Sequence, residues 1–340
     1  MKNEIEFKLQ SYFEKKLSRK LKTQELMLQQ TAENLSGWET EIYCFQINSN
    51  IFGYGNIVLR IYPHFNFGYR AHKEFRVMKW LKGKDFPVPE VLLVESENNI
   101  FSKPFIIMEE IKGKTLTEVL KNKSETQYTQ YMRKFTKILF ILHSLKTDDF
   151  NEELKEYSLG TVLTYYLSRV KNLIDESKLT YLNPIYLWLK RKSKGVQVDR
   201  LTLIHGDYHT DNVLVDEKGH FYVIDWSSSA IVDFRFDLAW TMVLARLYIG
   251  KNHKDNFFKE YENIKGQSID DIDFFEVMAL LRRLMDVLKL LTEKPEETGM
   301  REGTTYIIKS QKDLIKKLMD IIYEYTKIRI DIDISTLMHE

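Results

Sequence analysis

Residues 201–226 interrupt a long run of helical periodicity with a strand, a polar loop and a hairpin, and this island constrains the fold more than any other stretch. It reads LTLIHGDYHTDNVLVDEKGHFYVIDW. Leu201 to Ile204 form an apolar lead into a polar loop running from His205 to Asp211. Val213-Leu214-Val215 and Phe221-Tyr222-Val223-Ile224 spell two short strands. Asp216 to Gly219 is the turn between them, with Gly219 free to take positive φ. Such a hairpin brings Asn212, at its entrance, close to Asp225, at its exit. Asp207 lies on the loop that leads in.

Taken singly, each Asp or Asn here reads as a turn residue or a cap. Taken together they match the needs of phosphoryl transfer, which asks little covalent chemistry of a protein. It needs metal-held phosphates, neutralised charge and an oriented hydroxyl. Magnesium prefers oxygen ligands and usually takes one or two protein groups plus phosphates. The Asp225 carboxylate and the Asn212 carboxamide oxygen suit that role. Asp207 is the candidate to orient an acceptor hydroxyl and take its proton.

The rest of the chain arranges itself around this island. Residues 2–30 read as a helix, with Ile5, Leu9, Phe13 and Leu17 at helical spacing. Strands are expected at 42–47 and 57–61, with Gly53 and Gly55 in the turn between them. A helix at 69–82 carries Phe75, Met78 and Leu81 on one side. Strands follow at 91–94 and 105–108. After Gly113 the texture turns helical, with helices expected at about 115–121, 126–145, 159–176 and 180–193. Beyond the island they return at 235–249, 255–265, 272–292 and 302–327. The expected fold is α+β in two lobes: residues 1–112 as a small strand-rich lobe with an antiparallel sheet, and residues 113–340 as a larger, mainly helical lobe.

Composition removes several function classes. The 340 residues are 44% hydrophobic, enough for two cores, and the formal charge of +1 argues against a dedicated nucleic-acid binder. The single cysteine, Cys44, excludes an intramolecular disulfide and a cysteine zinc site. The charged N-terminal stretch does not read as a signal peptide, and no apolar run reaches the roughly 20 residues of a membrane span. A cytoplasmic protein without a membrane partner is the expectation.

The run His205 to Asn212, followed by Ile224-Asp225-Trp226, resembles the aminoglycoside phosphotransferase and choline kinase-like superfamily, whose members have a protein kinase-like fold. The resemblance implies Asp207 as catalytic base, Asn212 and Asp225 as magnesium ligands, and His205 as organiser of the loop. His209 falls where protein kinases often carry a lysine, which implies an approach to the transferred phosphate. The segment DFRFDLAW (233–240) is similar to the family stretch in which an aspartate precedes Leu-Ala; the family implies that Asp237 braces the catalytic loop through backbone amides. Without that implication, Asp237 reads as the N-cap of a helix over 238–249. Val232 and Phe234 stand where the family usually has Gly and Pro. Arg60 occupies the place of the nucleotide-anchoring lysine, with Glu74 as its partner carboxylate; arginine binds phosphate bidentately, in a geometry unlike lysine's. Ser36-Gly37-Trp38-Glu39-Thr40 resembles the phosphate-covering turn, though with one glycine. Met108, Glu109 and Ile111 lie in what resembles the lobe connector that runs past the nucleotide base. The implied co-substrates are ATP or GTP with Mg2+, and the acceptor is a small hydroxyl-bearing molecule: an aminoglycoside, a choline-like amino alcohol, a sugar or a related metabolite.

Two other readings stand beside this one. His205, Asp207, His209 and Asp211 alternate, so an extended segment would put them on one face, as in a metal-dependent hydrolase. A pseudokinase, binding nucleotide without transferring phosphate, would fit the single-glycine turn and Arg60. Leu142-His143 reads as a packed structural pair. Tyr165, Tyr166, Tyr181, Tyr186 and Trp188 could cage a cationic amine but at helical spacing read first as core. The acidic run Asp270, Asp271 and Asp273 reads as a solvated helix start.

Overall fold

The fold was analysed in a computed structural model. The structure describes residues 2–17, 28–33, 40–47, 55–63, 67–96, 99–150, 158–292 and 312–332. By its contacts the chain divides into two compact units. The first takes the residues up to Leu116 and returns for Val213–Ser227; the second takes Thr117–Asn212 and the described residues from Ser228 onward.

The first unit is built on an antiparallel five-stranded sheet of β1 (Leu28–Glu33), β2 (Glu41–Ile47), β3 (Asn56–Ile61), β4 (Val91–Glu95) and β5 (Phe105–Glu109), in the order β1-β2-β3-β5-β4. Strand alternation sorts β3 cleanly. Ile57, Leu59 and Ile61 join one core face, while Val58 and Arg60 belong to the other. Helix α1 (Lys2–Leu17) closes the apolar face with Leu9 and Phe13, both buried, and the Tyr12 ring meets Phe105 edge-on at 5.5 Å. Helix α2 (Gly68–Lys82) buries Ala71, Glu74, Val77, Met78 and Leu81. Phe75, expected on that face, is only half-buried. A three-stranded sheet of β6 (Gly113–Thr115), β8 (Val213–Asp216) and β9 (Phe221–Val223) completes the unit.

The expected helix over 2–30 is corrected: it ends at Leu17, and residues 28–30 are strand. Residues 18–27 lie outside the described set. Gln29, Gln30, Ala32 and Glu33 are residues a helix accepts readily, so local propensity gave no warning. The edge of β2 offers a full row of backbone partners, and pairing from Leu28↔Ile47 to Glu33↔Tyr43 decides the outcome. Of the two turn glycines, Gly53 lies outside the described residues; the carbonyl of Gly55 accepts from the Ile47 N–H at 2.9 Å.

The second unit is helical: α3 (Leu116–Leu120), α4 (Glu125–Ser144), α5 (Val162–Glu176), α6 (Asn183–Lys192), α7 (Arg235–Tyr248), α8 (Lys251–Lys265), α9 (Ile272–Thr292) and α10 (Lys312–Thr326), the first of these straddling the division. Of the helix expected at 302–327, residues 302–311 lie outside the described set. A two-stranded pair, β7 (Thr202–Ile204) with β10 (Ala230–Val232), sits among them and holds the start of the polar loop. Helix α4 begins with a capping box in which Ser124 and Gln127 exchange hydrogen bonds. No described helix is long and apolar enough to cross a membrane. Phe13→Ala, which empties the contact between α1 and the sheet, is expected to lower stability by about 3–5 kcal/mol; a drop in the urea midpoint of a near-ultraviolet unfolding curve measures it.

Candidate active site

The polar loop is shaped by its glycine. Gly206 takes φ +80°, and a Cβ there would stand 2.3 Å from the Ser228 carbonyl oxygen, so no larger residue fits. That turn points two successive N–H groups at one carboxylate. Asp237, fully buried, accepts from the His205 N–H at 2.8 Å and from the Gly206 N–H at 2.9 Å. A third partner, His143 on α4, has its Nε2 3.2 Å from Asp237 Oδ2, and the Tyr261 hydroxyl lies 2.7 Å from its Nδ1. A carboxylate oxygen accepts, so the His143 Nε2 facing it donates, and the Tyr261 hydroxyl partners the other ring nitrogen. The buried carboxylate is thus fully hydrogen-bonded, the condition for a charge away from water.

Asp207 follows. Its Oδ1 accepts from the Trp240 indole N–H at 2.7 Å. Asn212 Nδ2 donates to the Asp207 carbonyl at 2.8 Å and lies 3.3 Å from Oδ2. His209 Nε2 is 3.6 Å from the same Oδ2 and 3.0 Å from Asn212 Nδ2. Arg282, from α9, donates to the Gly206 carbonyl at 2.9 Å and lays its guanidinium 4.0 Å from the Trp240 ring centroid. Burial would raise the Asp207 pKa, but His209, Arg282 and the Trp240 N–H outweigh it and hold the carboxyl well below its usual range. Helix α7 organises all this. Asp237, Trp240 and Thr241 fall at i, i+3 and i+4, one face, and Thr241 Oγ1 donates to the Tyr208 carbonyl at 2.8 Å. His205 is buried and accepts the Asp207 N–H on its Nδ1 at 3.2 Å, a contact that shapes the loop.

The first unit holds a second charged centre. Arg60 is buried and forks between two carboxylates, Nη1 to Glu74 Oε1 and Nη2 to Asp225 Oδ1, both at 2.8 Å. Its Nε donates to Thr40 Oγ1 at 3.1 Å. Glu74 also accepts from the Tyr62 hydroxyl and from the Trp226 N–H, the latter at 3.2 Å. Burial, helped by the neighbouring Asp225 charge, holds the Glu74 carboxyl above its ordinary value, and Arg60, Tyr62 and Trp226 offset only part of that rise. Burial also works against the Arg60 charge, but Asp225 and Glu74 prevail and hold its pKa well above the usual one. Asp225 sits at φ +64°, a left-handed conformation in which Asp is among the tolerated residues, and Ser227 Oγ donates to its Oδ1 at 2.9 Å. The hairpin pairs Val213 with Val223, and its turn has Gly219 at φ +79° with the Asp216 carboxylate accepting from the Lys218 and His220 N–H groups.

A model of the phosphotransferase enzyme family (APH) matches residues 32–281. The chain belongs to this family. Among curated relatives, it is 28% identical over 196 residues to acyl-CoA dehydrogenase family member 10 of Mus musculus, a match covering 54% of this chain and 18% of that protein. It is 26% identical over 199 residues to acyl-CoA dehydrogenase family member 11 of Homo sapiens, covering 55% of this chain and 25% of that protein. The chain therefore spans a quarter or less of these relatives. Among solved structures, a Ralstonia eutropha JMP134 protein assigned to the aminoglycoside phosphotransferases matches with a TM-score of 0.71 at 17% identity, over 93% of this chain and 98% of that one. A thermostable mutant of the aminoglycoside phosphotransferase APH(4)-Ia, in complex with ADP and hygromycin B, matches at 0.59 and 15%, over 92% and 97%. Plasmodium vivax ethanolamine kinase matches at 0.54 and 15%, over 86% and 84%. These likenesses establish the two-lobed, protein kinase-like fold.

Within that fold, the expected residues divide as follows. His205, Asp207, His209, Asn212 and Asp237 come together in the second unit; Arg60, Glu74 and Asp225 come together in the first. Met108 and Glu109 end β5, and the Glu109 N–H donates to the Glu90 carbonyl at 2.8 Å; Ile111 lies between β5 and β6. Ser36 and Gly37, with the rest of their turn up to Glu39, lie outside the described residues. Asp237 is not an N-cap: α7 starts at Arg235, and the carboxylate turns to the loop instead. Val232 pairs with Thr202 in β10, and Phe234 packs against His143 and Tyr261. The alternation of His205, Asp207, His209 and Asp211 does not survive. Gly206 turns the chain, Thr210–Asn212 closes a 3-10 turn, and among the described residues no three His, Cys, Asp or Glu side chains are grouped as a metal site requires. The acidic run is answered by basic side chains, Arg235 at 3.9 Å from Asp271 and Lys192 at 3.5 Å from Asp273. Tyr166 packs into the core with Phe236 at 4.5 Å.

The sequence reading missed Thr40, Tyr62, Trp240 and Arg282 as members of these centres. Tyr62 had a signal, since it lies two residues after Arg60 and so on the same strand face. Trp240 had one too, one turn after Asp237. Arg282 had none. Each residue expected to hold magnesium keeps an oxygen donor of the kind that ion takes: in the second unit Asn212 uses its amide nitrogen on Asp207, which leaves its carboxamide oxygen as the donor, and in the first unit the Asp225 carboxylate is 37% exposed. Arg60→Met leaves Glu74 buried without its cation, and is expected to cost about 3–5 kcal/mol in a urea unfolding experiment; Arg60→Lys, with no fork to span two carboxylates, should recover only part of it.

Proposed function

We propose that this chain is a magnesium-dependent small-molecule kinase that moves the γ-phosphate of ATP or GTP to an acceptor hydroxyl. The observation that carries the reading is Asp207 itself: a carboxylate on a loop braced by Asp237, held through Oδ1 by Trp240 and kept ionised by His209 and Arg282. Asp207 orients the acceptor hydroxyl and receives its proton. The acceptor oxygen bonds to the γ-phosphorus as the bond to the β–γ bridging oxygen breaks, and the nucleoside diphosphate leaves. A depressed pKa is compatible with this role, because in a loose transition state the proton leaves late. Asn212 and Asp225 are the oxygen donors assigned to magnesium, which neutralises phosphate charge when bound. His209 is assigned to the transferred phosphate and Arg60 to the nucleotide phosphates. Ser36 and Gly37 are assigned to the phosphate-covering turn, and Met108, Glu109 and Ile111 to the nucleotide base.

Hygromycin B in complex with APH(4)-Ia, and the ethanolamine kinase activity named for the Plasmodium protein, support acceptors that carry both hydroxyl and amine groups. ADP in the same APH(4)-Ia complex supports an adenine nucleotide as the donor product. A second reading, a nucleotide-binding protein without transfer, draws on Arg60, whose guanidinium nitrogens already serve Thr40, Glu74 and Asp225.

The test is a screen of aminoglycosides, amino alcohols and sugars with ATP and GTP, followed by mass spectrometry of the product. Asp207→Asn should keep nucleotide binding and lose transfer by about 10²–10⁴-fold; undiminished transfer removes Asp207 from its role. Asp225→Ala should abolish metal-dependent turnover, and full activity in that variant would sink the metal assignment. Nucleotide binding with no transfer to any acceptor and no Mg·ATP hydrolysis would favour the second reading.

A further inference from the structure

Resting on Asp207 as the base, we infer that Trp240, clamped by Arg282, is a positioning residue that occupies Oδ1 of Asp207 and leaves Oδ2 as the oxygen that meets the acceptor hydroxyl. The two carboxylate oxygens are not equivalent. Oδ1 accepts a direct hydrogen bond from the indole N–H at 2.7 Å, whereas Oδ2 has, among the described residues, the longer contacts to Asn212 at 3.3 Å and His209 at 3.6 Å. A 2.7 Å bond to an ionised carboxylate is among the stronger hydrogen bonds a protein makes. It fixes the carboxylate's rotation about its last torsion, which for Asp is otherwise broad.

The donor is itself packed in place. Trp240 is 4% exposed, and its helix is tied to the loop on both sides of Asp207, by Asp237 to the Gly206 N–H and by Thr241 to the Tyr208 carbonyl. Arg282, itself exposed, lies over the indole. Its guanidinium lies 4.0 Å from the indole ring centroid and donates to the Gly206 carbonyl at 2.9 Å. One side chain from α9 therefore holds both the ring that grips Asp207 and the peptide just before it. A cation over an indole face also draws electron density from the ring and makes its N–H a better donor. Removing Arg282 should loosen the grip and also take one nearby positive charge from Asp207. Misplacement of a base by a fraction of its hydrogen-bond length is enough to slow transfer while nucleotide binding stays intact.

The experiment uses the full chain in two measurements. Its five tryptophans are Trp38, Trp80, Trp188, Trp226 and Trp240, so a 15N-indole spectrum carries few N–H signals. Trp240→Phe identifies its own signal by loss. Asp207→Asn should move that signal more than any other, and Arg282→Gln should move it as well. An indole signal unmoved by Asp207→Asn overturns the inference. In the second measurement, ADP release from Mg·ATP with water as acceptor is followed. Trp240→Phe should lower kcat by about ten- to hundredfold, the worth of a hydrogen bond to a charged group, with KM for ATP changed less than about twofold. Arg282→Gln should lower kcat in the same way but less, and the double variant should fall short of the product of the two effects, because both act through one carboxylate. Unchanged kcat in a folded Trp240→Phe protein overturns the inference, as does equal loss in kcat and nucleotide affinity. If Trp240→Phe does not fold, Arg282→Gln and the Asp207→Asn spectrum decide. Asp207→Asn separates this inference from the reading beneath it: if that variant keeps full turnover, the base assignment fails, whereas if it loses turnover and Trp240→Phe does not, only the positioning role fails.

Discussion

A single buried carboxylate, Asp237, holds two consecutive backbone N–H groups of the loop that carries Asp207. Two adjacent amides point the same way only where the chain turns sharply, and Gly206 at φ +80° supplies the turn. A carboxylate with no exposure would be costly if any oxygen went unpaired. His143 completes the set, Tyr261 satisfies His143 in turn, and the loop inherits the rigidity of helices α4, α7 and α8. Everything the second unit offers chemically depends on this arrangement, because Asp207 and Asn212 take their places from the backbone that Asp237 holds.

The first unit solves a related problem with opposite charge. Arg60 is buried between Glu74 and Asp225, and its planar fork reaches both at 2.8 Å. A lysine ammonium is a point charge and could not repeat that span with the same geometry. The unit thus accepts arginine at this strand position because β3 turns Arg60 to Glu74 of α2 while Ile57, Leu59 and Ile61 fill the opposite face with Phe13. Tyr62, on the same face as Arg60, spends its hydroxyl on the second oxygen of Glu74. Left-handed Asp225 turns the Trp226 N–H to the first. The result is a charged cluster whose members are each hydrogen-bonded, which is what makes its burial tolerable.

Much of this was legible beforehand where a residue acts through its neighbours in sequence. The hairpin of β8 and β9, the turn at Gly219, the helix bearing Glu74 and the loop from His205 to Asn212 follow from periodicity and turn chemistry within short windows. What failed did so where long-range pairing competes with local preference. Residues 28–30 have helical propensity but pair along the β2 edge, and local pattern alone made Asp237 a cap, whereas its carboxylate takes the loop amides that the family resemblance implied. The alternating His and Asp residues at 205–211 suggested one extended face, and a positive φ at Gly206 removed it.

The sequence by itself determined the residue types of the site and their order: a carboxylate on a loop, an amide five residues later, a second carboxylate after a hairpin, and a basic strand residue followed by an acidic helix residue. Those are fixed by covalent spacing and by the few conformations short segments adopt. Only the tertiary structure decided how the side chains are held. Arg282 lies 75 residues beyond Asp207 on another helix, and nothing in local pattern marks it, yet it lies over Trp240 and binds the Gly206 carbonyl. Contacts of that kind depend on how helices pack, and packing is set by the summed fit of many side chains rather than by any window of sequence.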